Sequence, residues 1–173
     1  VARAAPDGFT LLWDASSHIV NHALLRGLPF DYTTAFQPIS LVCTFPQVVA
    51  VKTDFPARDI GAFIAAAKAQ PGAISLGTQG NATAGHLGLA RFAREAGIDV
   101  IHVPYRGGAD AARDLAGGTL DGVFITALSA RPVVESGRAR FLAVATAQRL
   151  ASLPDVPTLS ESGMPGFDVS EWV

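Results

Sequence analysis

The chain has 173 residues, with 13 Lys and Arg against 15 Asp and Glu, for a formal net charge of −2. Hydrophobic residues make up 49% and charged residues 16%, which excludes an intrinsically disordered chain. The basic residues stand singly rather than in clusters, which excludes nucleic acid as a partner.

This length suits one domain, or one domain and part of another, burying about 70% of the unfolded surface without staples. The lone Cys43 excludes an internal disulfide and a Cys-based zinc site. It lies in the apolar run Ile39–Val51 and is read as a buried, inert thiol. Thr44, Pro46 and Gln47 interrupt that run, so no transmembrane helix is predicted. Few cysteines fit cytosol and periplasm equally. No secretory signal peptide is visible, and a start at Val1-Ala2-Arg3 without Met is read as that of a mature form or an excised fragment.

In chain order, Ala5-Pro6-Asp7-Gly8 is a turn signal, and Phe9–Trp13 is expected to be a short buried strand. A polar stretch, Asp14–Ser17, leads to a short helix over Ile19–Leu25 and a loop over Gly27–Thr34. The β-branched run Gln47–Val51 predicts a strand. Asp59 is a good N-cap, and Ile60, Phe63, Ile64 and Ala67 share one helical face before Gln70-Pro71-Gly72 stops it.

Alternation then follows. Strands are expected at Ile74–Leu76, Val100–Val103, Asp121–Ile125 and Phe141–Ala145. Helices are expected at Ala84–Ala96 with Gly97 as C-cap, at Ala109–Ala116 and at Leu128–Ser136. Ala147–Gly166 reads mostly as loop, with one short helix near Leu159–Ser162. The fold class is α/β, a mostly parallel sheet flanked by helices. In such sheets ligands bind where loops leave the carboxyl ends of the strands, here Gly77–His86, Pro104–Gly108 and Thr126–Ser129.

The loop Gly77-Thr78-Gln79-Gly80-Asn81-Ala82-Thr83-Ala84-Gly85-His86 joins a strand to a helix. A helix N-terminus offers unpaired N–H groups and partial positive charge, and glycines let a ligand approach the backbone. Such a loop can bind an anion without a lysine. It is neither G-x-G-x-x-G nor a Walker loop, so dinucleotides and nucleoside triphosphates are poor candidates, and no cofactor is expected. The alternative is an ordinary turn capped by Thr83. Pro104-Tyr105-Arg106-Gly107-Gly108 is a second junction of the same type, where Tyr105 either faces a ligand or packs on the sheet edge.

Asp14, His18 and His22 have helical metal-ligand spacing, but the loop at Asp14–Ser17 breaks it. His86 either lines the cleft, is solvated, or acts as a base; His102 is read as structural. Asp110, Asp114 and Asp121 are spaced as solvated or capping charges. The chain carries no G-x-S-x-G elbow, no H-E-x-x-H and no carboxylate pair arranged for acid–base work.

Six ordered motifs carry a family resemblance: Ala5-Pro6-Asp7-Gly8-Phe9-Thr10-Leu11-Leu12; Asn21–Leu25 with Leu28-Pro29-Phe30-Asp31; Gly80-Asn81 with His86-Leu87; His102-Val103-Pro104-Tyr105-Arg106-Gly107; Leu153-Pro154-Asp155-Val156-Pro157-Thr158; and Gly163-Met164-Pro165-Gly166. Together they resemble the Bug (TctC-type) substrate-binding proteins of tripartite tricarboxylate transporters, over nearly the whole chain. The resemblance implies a two-lobed periplasmic-binding-protein fold of type II, a periplasmic location and a small organic carboxylate as ligand. It also implies transporter subunits in the membrane as partners.

The family's opening strand with its Gly-rich loop, and its returning C-terminal part, have no counterpart here. The resemblance therefore implies a complete second lobe over 46–166, a remnant of the first lobe over 1–45, and the start of the return crossing over 167–173. Near Ile125 many members carry an acidic residue, and its absence favours a plain carboxylic acid over an amino acid. By match to the motifs, the ligand-binding residues are Thr78, Gln79, Asn81, Thr83, Ala84, Gly85 and His86, with Tyr105 and Thr126 on adjacent strand ends and Ser17 from the first lobe. The reading is a non-catalytic receptor. Its rivals are a small α/β enzyme acting on a carboxylic acid and an isolated lobe without binding activity. An unpaired Phe9–Trp13 strand would leave edges and an apolar face open, inviting self-association or a fold-back of the segment.

Overall fold

A computed structural model describes residues 1–173. Helix α1 (Ser17–Leu24) is followed by strand β1 (Thr44–Lys52), α2 (Ile60–Ala69), β2 (Ser75–Thr78) and α3 (Ala84–Ala96). Then come β3 (Ile101–Pro104), α4 (Gly108–Ala116), β4 (Gly122–Thr126), α5 (Ala127–Glu135), β5 (Ala139–Val144) and β6 (Ser170–Trp172). The sheet order is β3-β2-β4-β1-β5, with β6 added alongside β1. β2 pairs in parallel with β3 and β4, while β1 runs antiparallel to both β4 and β5. β6 is antiparallel to β1 as well, so five strands share one direction and β1 alone is threaded among them in reverse.

Helices cover both faces, so β1 is buried on both sides and its burial alternates between two cores. Val49 and Val51 join Phe63, Leu76, Phe92 and Phe124 on one face. Val48 and Ala50 join Ala111, Leu115, Val123 and Ile125 on the other. Local chemistry sets the helix ends: the Asp59 carboxylate accepts from Ala62 N–H at 2.8 Å, and Gly97 closes α3 in the left-handed region at φ 63°.

Three expectations fail. Phe9–Trp13 forms no strand and is open to solvent, with Phe9 92% and Trp13 69% exposed. A strand needs a partner, and no pairing reaches it. Leu159–Ser162 is a run of turns, not a helix; Ser162 N–H and Met164 N–H both bond the Leu159 carbonyl, while Leu159, Met164 and Phe167 plug the first core. Cys43 is half-buried rather than buried. None of the first 46 residues is buried as a whole. Their ties to the body include a short backbone ladder, in which Val42 and Cys43 N–H bond the Val173 carbonyl and Val173 N–H bonds the Cys43 carbonyl, and a bond from Ser16 N–H to the Glu171 carboxylate. The strands β1 and β6 pair at Thr44–Pro46, on the side of the sheet where β2 and β4 end. No helix is long and apolar enough to cross a membrane.

Candidate functional site

The parallel strands deliver Thr78, Pro104 and Thr126 to one edge of the sheet, with Gln47 of β1 beside Thr126. The β2–α3 loop is pinned there by its own side chains. The fully buried Thr78 places its hydroxyl 2.7 Å from His102 Nε2. Thr83 donates to the Gly80 carbonyl at 2.8 Å and accepts from His86 N–H at 3.4 Å, capping α3. His86 stacks on His102, with ring centroids 4.1 Å apart and planes within 7°. Its Nδ1 accepts from Ala82 N–H at 3.1 Å, so that nitrogen carries no proton in this geometry. Ala82 sits at φ 61°, a left-handed conformation that costs a residue with a Cβ about 1–2 kcal/mol; the His86 bond holds it there. Burial, and then the neighbouring His86, keep the His102 imidazole below its ordinary pKa.

Beneath the loop, Gln79 donates to Gln47 Oε1 at 3.1 Å, and Gln47 is fully buried. The remaining Gln47 Nε2 and Gln79 Oε1 are buried without partners. Gly85 makes this arrangement possible. A Cβ there would lie 2.4 Å from Gln79 Oε1 and 2.8 Å from the Phe124 carbonyl.

The sequence-predicted residues fall into four groups. Thr78, Gln79, Asn81, Thr83, Ala84, Gly85 and His86 form one continuous loop and helix start, with Asn81 exposed at its tip. Thr126 stands on the neighbouring strand end, capping α5 by accepting from Ser129 N–H at 3.3 Å. Tyr105 comes close through its backbone, donating N–H to the Thr78 carbonyl at 3.0 Å. Its hydroxyl, however, donates to Asp114 at 2.7 Å, and burial and that contact push its pKa up to about 12. Across the site Ser16, rather than Ser17, lines a cavity of about 320 Å³ with Ala84, Leu87, Gly88 and Arg91.

Gln47 and Glu171 were not foreseen. A polar residue opening an otherwise apolar strand was the available signal for Gln47; Glu171 meets its partners only through the fold. The aspartates have partners of their own: Asp121 accepts from Ser75 and pairs with Lys52 at 2.9 Å across the sheet, and Asp110 pairs with Arg113 at 3.1 Å within α4. His18 bonds Asp14 at 2.9 Å and packs against Tyr32 and Phe36, which makes it the centre of an aromatic cluster.

The profile described as "Tripartite tricarboxylate transporter family receptor" (TctC) matches residues 1–173. The "UPF0065 protein in tcbD-tcbE intergenic region" of Pseudomonas sp. (strain P51) is 36% identical, covering 99% of this chain and 52% of that protein. Three solved structures are similar throughout. "R. palustris Rpa4515 with adipate" has TM-score 0.91 and 30% identity over 99% of this chain and 58% of its own. "Structure of periplasmic binding protein BugD" has TM-score 0.88 and 32% identity over 99% and 57%. MatC (Rpa3494) from Rhodopseudomonas palustris with bound malate has TM-score 0.86 and 28% identity over 99% and 59%. The chain spans about half the length of the curated relatives it matches. Matched by the family profile from its first residue to its last, the chain belongs to the tripartite tricarboxylate transporter receptor (TctC) family.

Proposed function

We propose that this chain is the ligand-binding lobe of a periplasmic receptor that captures a small organic carboxylate for a tripartite tricarboxylate transporter. The observation that carries this is the β2–α3 junction. An amide-rich helix start, a threonine cap and a paired glutamine floor make a cradle for an anion with no lysine or arginine in the loop Thr78–His86. The adipate and malate in two similar structures, and the periplasmic designation of a third, support the ligand class and the location.

Within this proposal Thr78, Gln79, Asn81, Thr83, Ala84, Gly85 and His86 meet the carboxylate, Thr126 and the Tyr105 backbone flank it, and Ser17 belongs to the facing side. Residues 46–166 serve as one lobe, 1–45 as part of the other and 167–173 as the crossing between them. The transporter's membrane subunits are the partners of the loaded receptor. Half of a clamp excludes water poorly, so affinity of the 173-residue chain is weak.

The receptor is non-catalytic. Calorimetric titration of the chain with adipate and malate should give saturable single-site heat, with both acids recovered unaltered. No saturable binding at millimolar concentration would overturn the proposal, and chemical conversion of either acid would favour a carboxylate-processing enzyme. Self-association through the exposed apolar residues of 9–13 also belongs to the proposal; light scattering that gives a clean monomer across a wide concentration range would remove it.

A further inference from the structure

One amide at the start of α3 is already answered from within the chain. Glu171, on β6, places Oε2 3.4 Å from Ala84 N–H. Its Oε1 accepts from Ser16 N–H at 3.0 Å and from Trp172 N–H at 3.3 Å. The first two contacts join positions 87 and 155 residues apart, so they are products of the fold and not of local sequence. Ser16 and Ala84 both line the cavity of about 320 Å³ beside α3, and Ser16 Oγ is buried there without a partner. A carboxylate thus stands where the helix dipole and a free N–H favour an anion. A second carboxylate arriving at the same helix end must displace the first or be repelled by it. The resident group is tethered, so its local concentration far exceeds that of a free solute.

We propose that Glu171 is an internal competitor for the ligand's carboxylate at the N-terminus of α3, and that its displacement sets the affinity of the receptor. This rests on the function proposed above and names the residue that tunes it. When the ligand takes Ala84 N–H, Glu171 leaves and Ser16 loses its acceptor. Ligand entry is therefore linked to release of the α1 start from β6.

The test is titration of adipate into the wild-type chain, Glu171→Gln and Glu171→Asp. Gln keeps an acceptor for Ser16 N–H but removes the competing charge. Asp keeps the charge on an arm too short to hold both partners. The expected result is a gain in adipate affinity of at least tenfold for Glu171→Gln and a smaller gain for Glu171→Asp. Amide shifts of Ser16 on adipate addition should appear in the wild type and shrink in Glu171→Gln. Should Glu171→Gln not fold, Glu171→Asp with the Ser16 shift decides alone. Wild-type binding with unchanged or weaker affinity in the variants would overturn the competitor while leaving the receptor intact. No adipate binding by any of the three would overturn the receptor itself.

Discussion

The β2–α3 and β3–α4 junctions are built from the same parts, a parallel strand, a loop rich in glycine and a helix, yet they do different things. At β2–α3 the loop is fixed by Thr78, Thr83, His86 and Gln79, and α3 starts under a hydroxyl cap. At β3–α4 the cap position is Gly107, which offers no side chain, and Tyr105 turns its hydroxyl to Asp114, further along α4. The first junction keeps its polar groups facing one another around a helix start. The second is closed on itself. Glycine content and a strand–helix boundary make a helix N-terminus available; the side chains around it decide whether a ligand can use it.

Alanine at the two glycines should separate the junctions most strongly. Gly85→Ala drives a Cβ to within 2.8 Å of a carbonyl that cannot move, so the loss should be about 1–3 kcal/mol of stability, with adipate binding abolished. At Gly107 a Cβ meets nothing within 4 Å, and the extended φ of −172° suits any residue. Gly107→Ala should stay within about 0.5 kcal/mol of wild type in denaturant melts. Equal costs at the two sites would erase the contrast.

Removing the cap is the next smaller step. Thr83→Ala takes away the acceptor for His86 N–H and the tie to the Gly80 carbonyl, and should cost about 1 kcal/mol in both stability and ligand affinity. An unchanged dissociation constant by calorimetry would take Thr83 out of the site.

The last contrast is at Tyr105, where the effect is confined to alkaline pH and absent at neutral pH. Burial first, then the bond to Asp114, raise its pKa from 10.0 to about 12. A group whose folded-state pKa is raised contributes stability that is complete below its unfolded value and fades as pH climbs through the folded one. Melting curves should therefore show a loss between pH 10 and about 12 that Tyr105→Phe lacks. The same alkaline loss in the variant would show that Tyr105 is not its source.

Helices with strong local signals were legible. Ala84–Ala96 with its Gly97 cap, and the Asp59-capped helix, stand where capping and 3.6-residue periodicity place them. The β2–α3 junction with its Thr83 cap was legible too, because a glycine-rich strand-to-helix boundary is local chemistry. What depends on distant partners was not. β1 is read as a strand, but nothing in Gln47–Val51 says that it runs against its neighbours. Phe9–Trp13 has the residues of a buried strand, and only the absence of a paired strand leaves them in solvent. Glu171 lies 87 residues from Ala84 and 155 from Ser16, so no spacing rule could join them.

Amide shift mapping with adipate on the 15N-labelled chain tests most directly that the uncharged start of α3 holds the carboxylate. The largest shifts should fall on Thr83, Ala84, Gly85 and His86, with Ser16 following as Glu171 is displaced, and with Lys52 and Arg138 at the other end of β1 unaffected. Saturable shifts centred on Lys52 and Arg138, with the Thr83–His86 amides unmoved, would contradict the account.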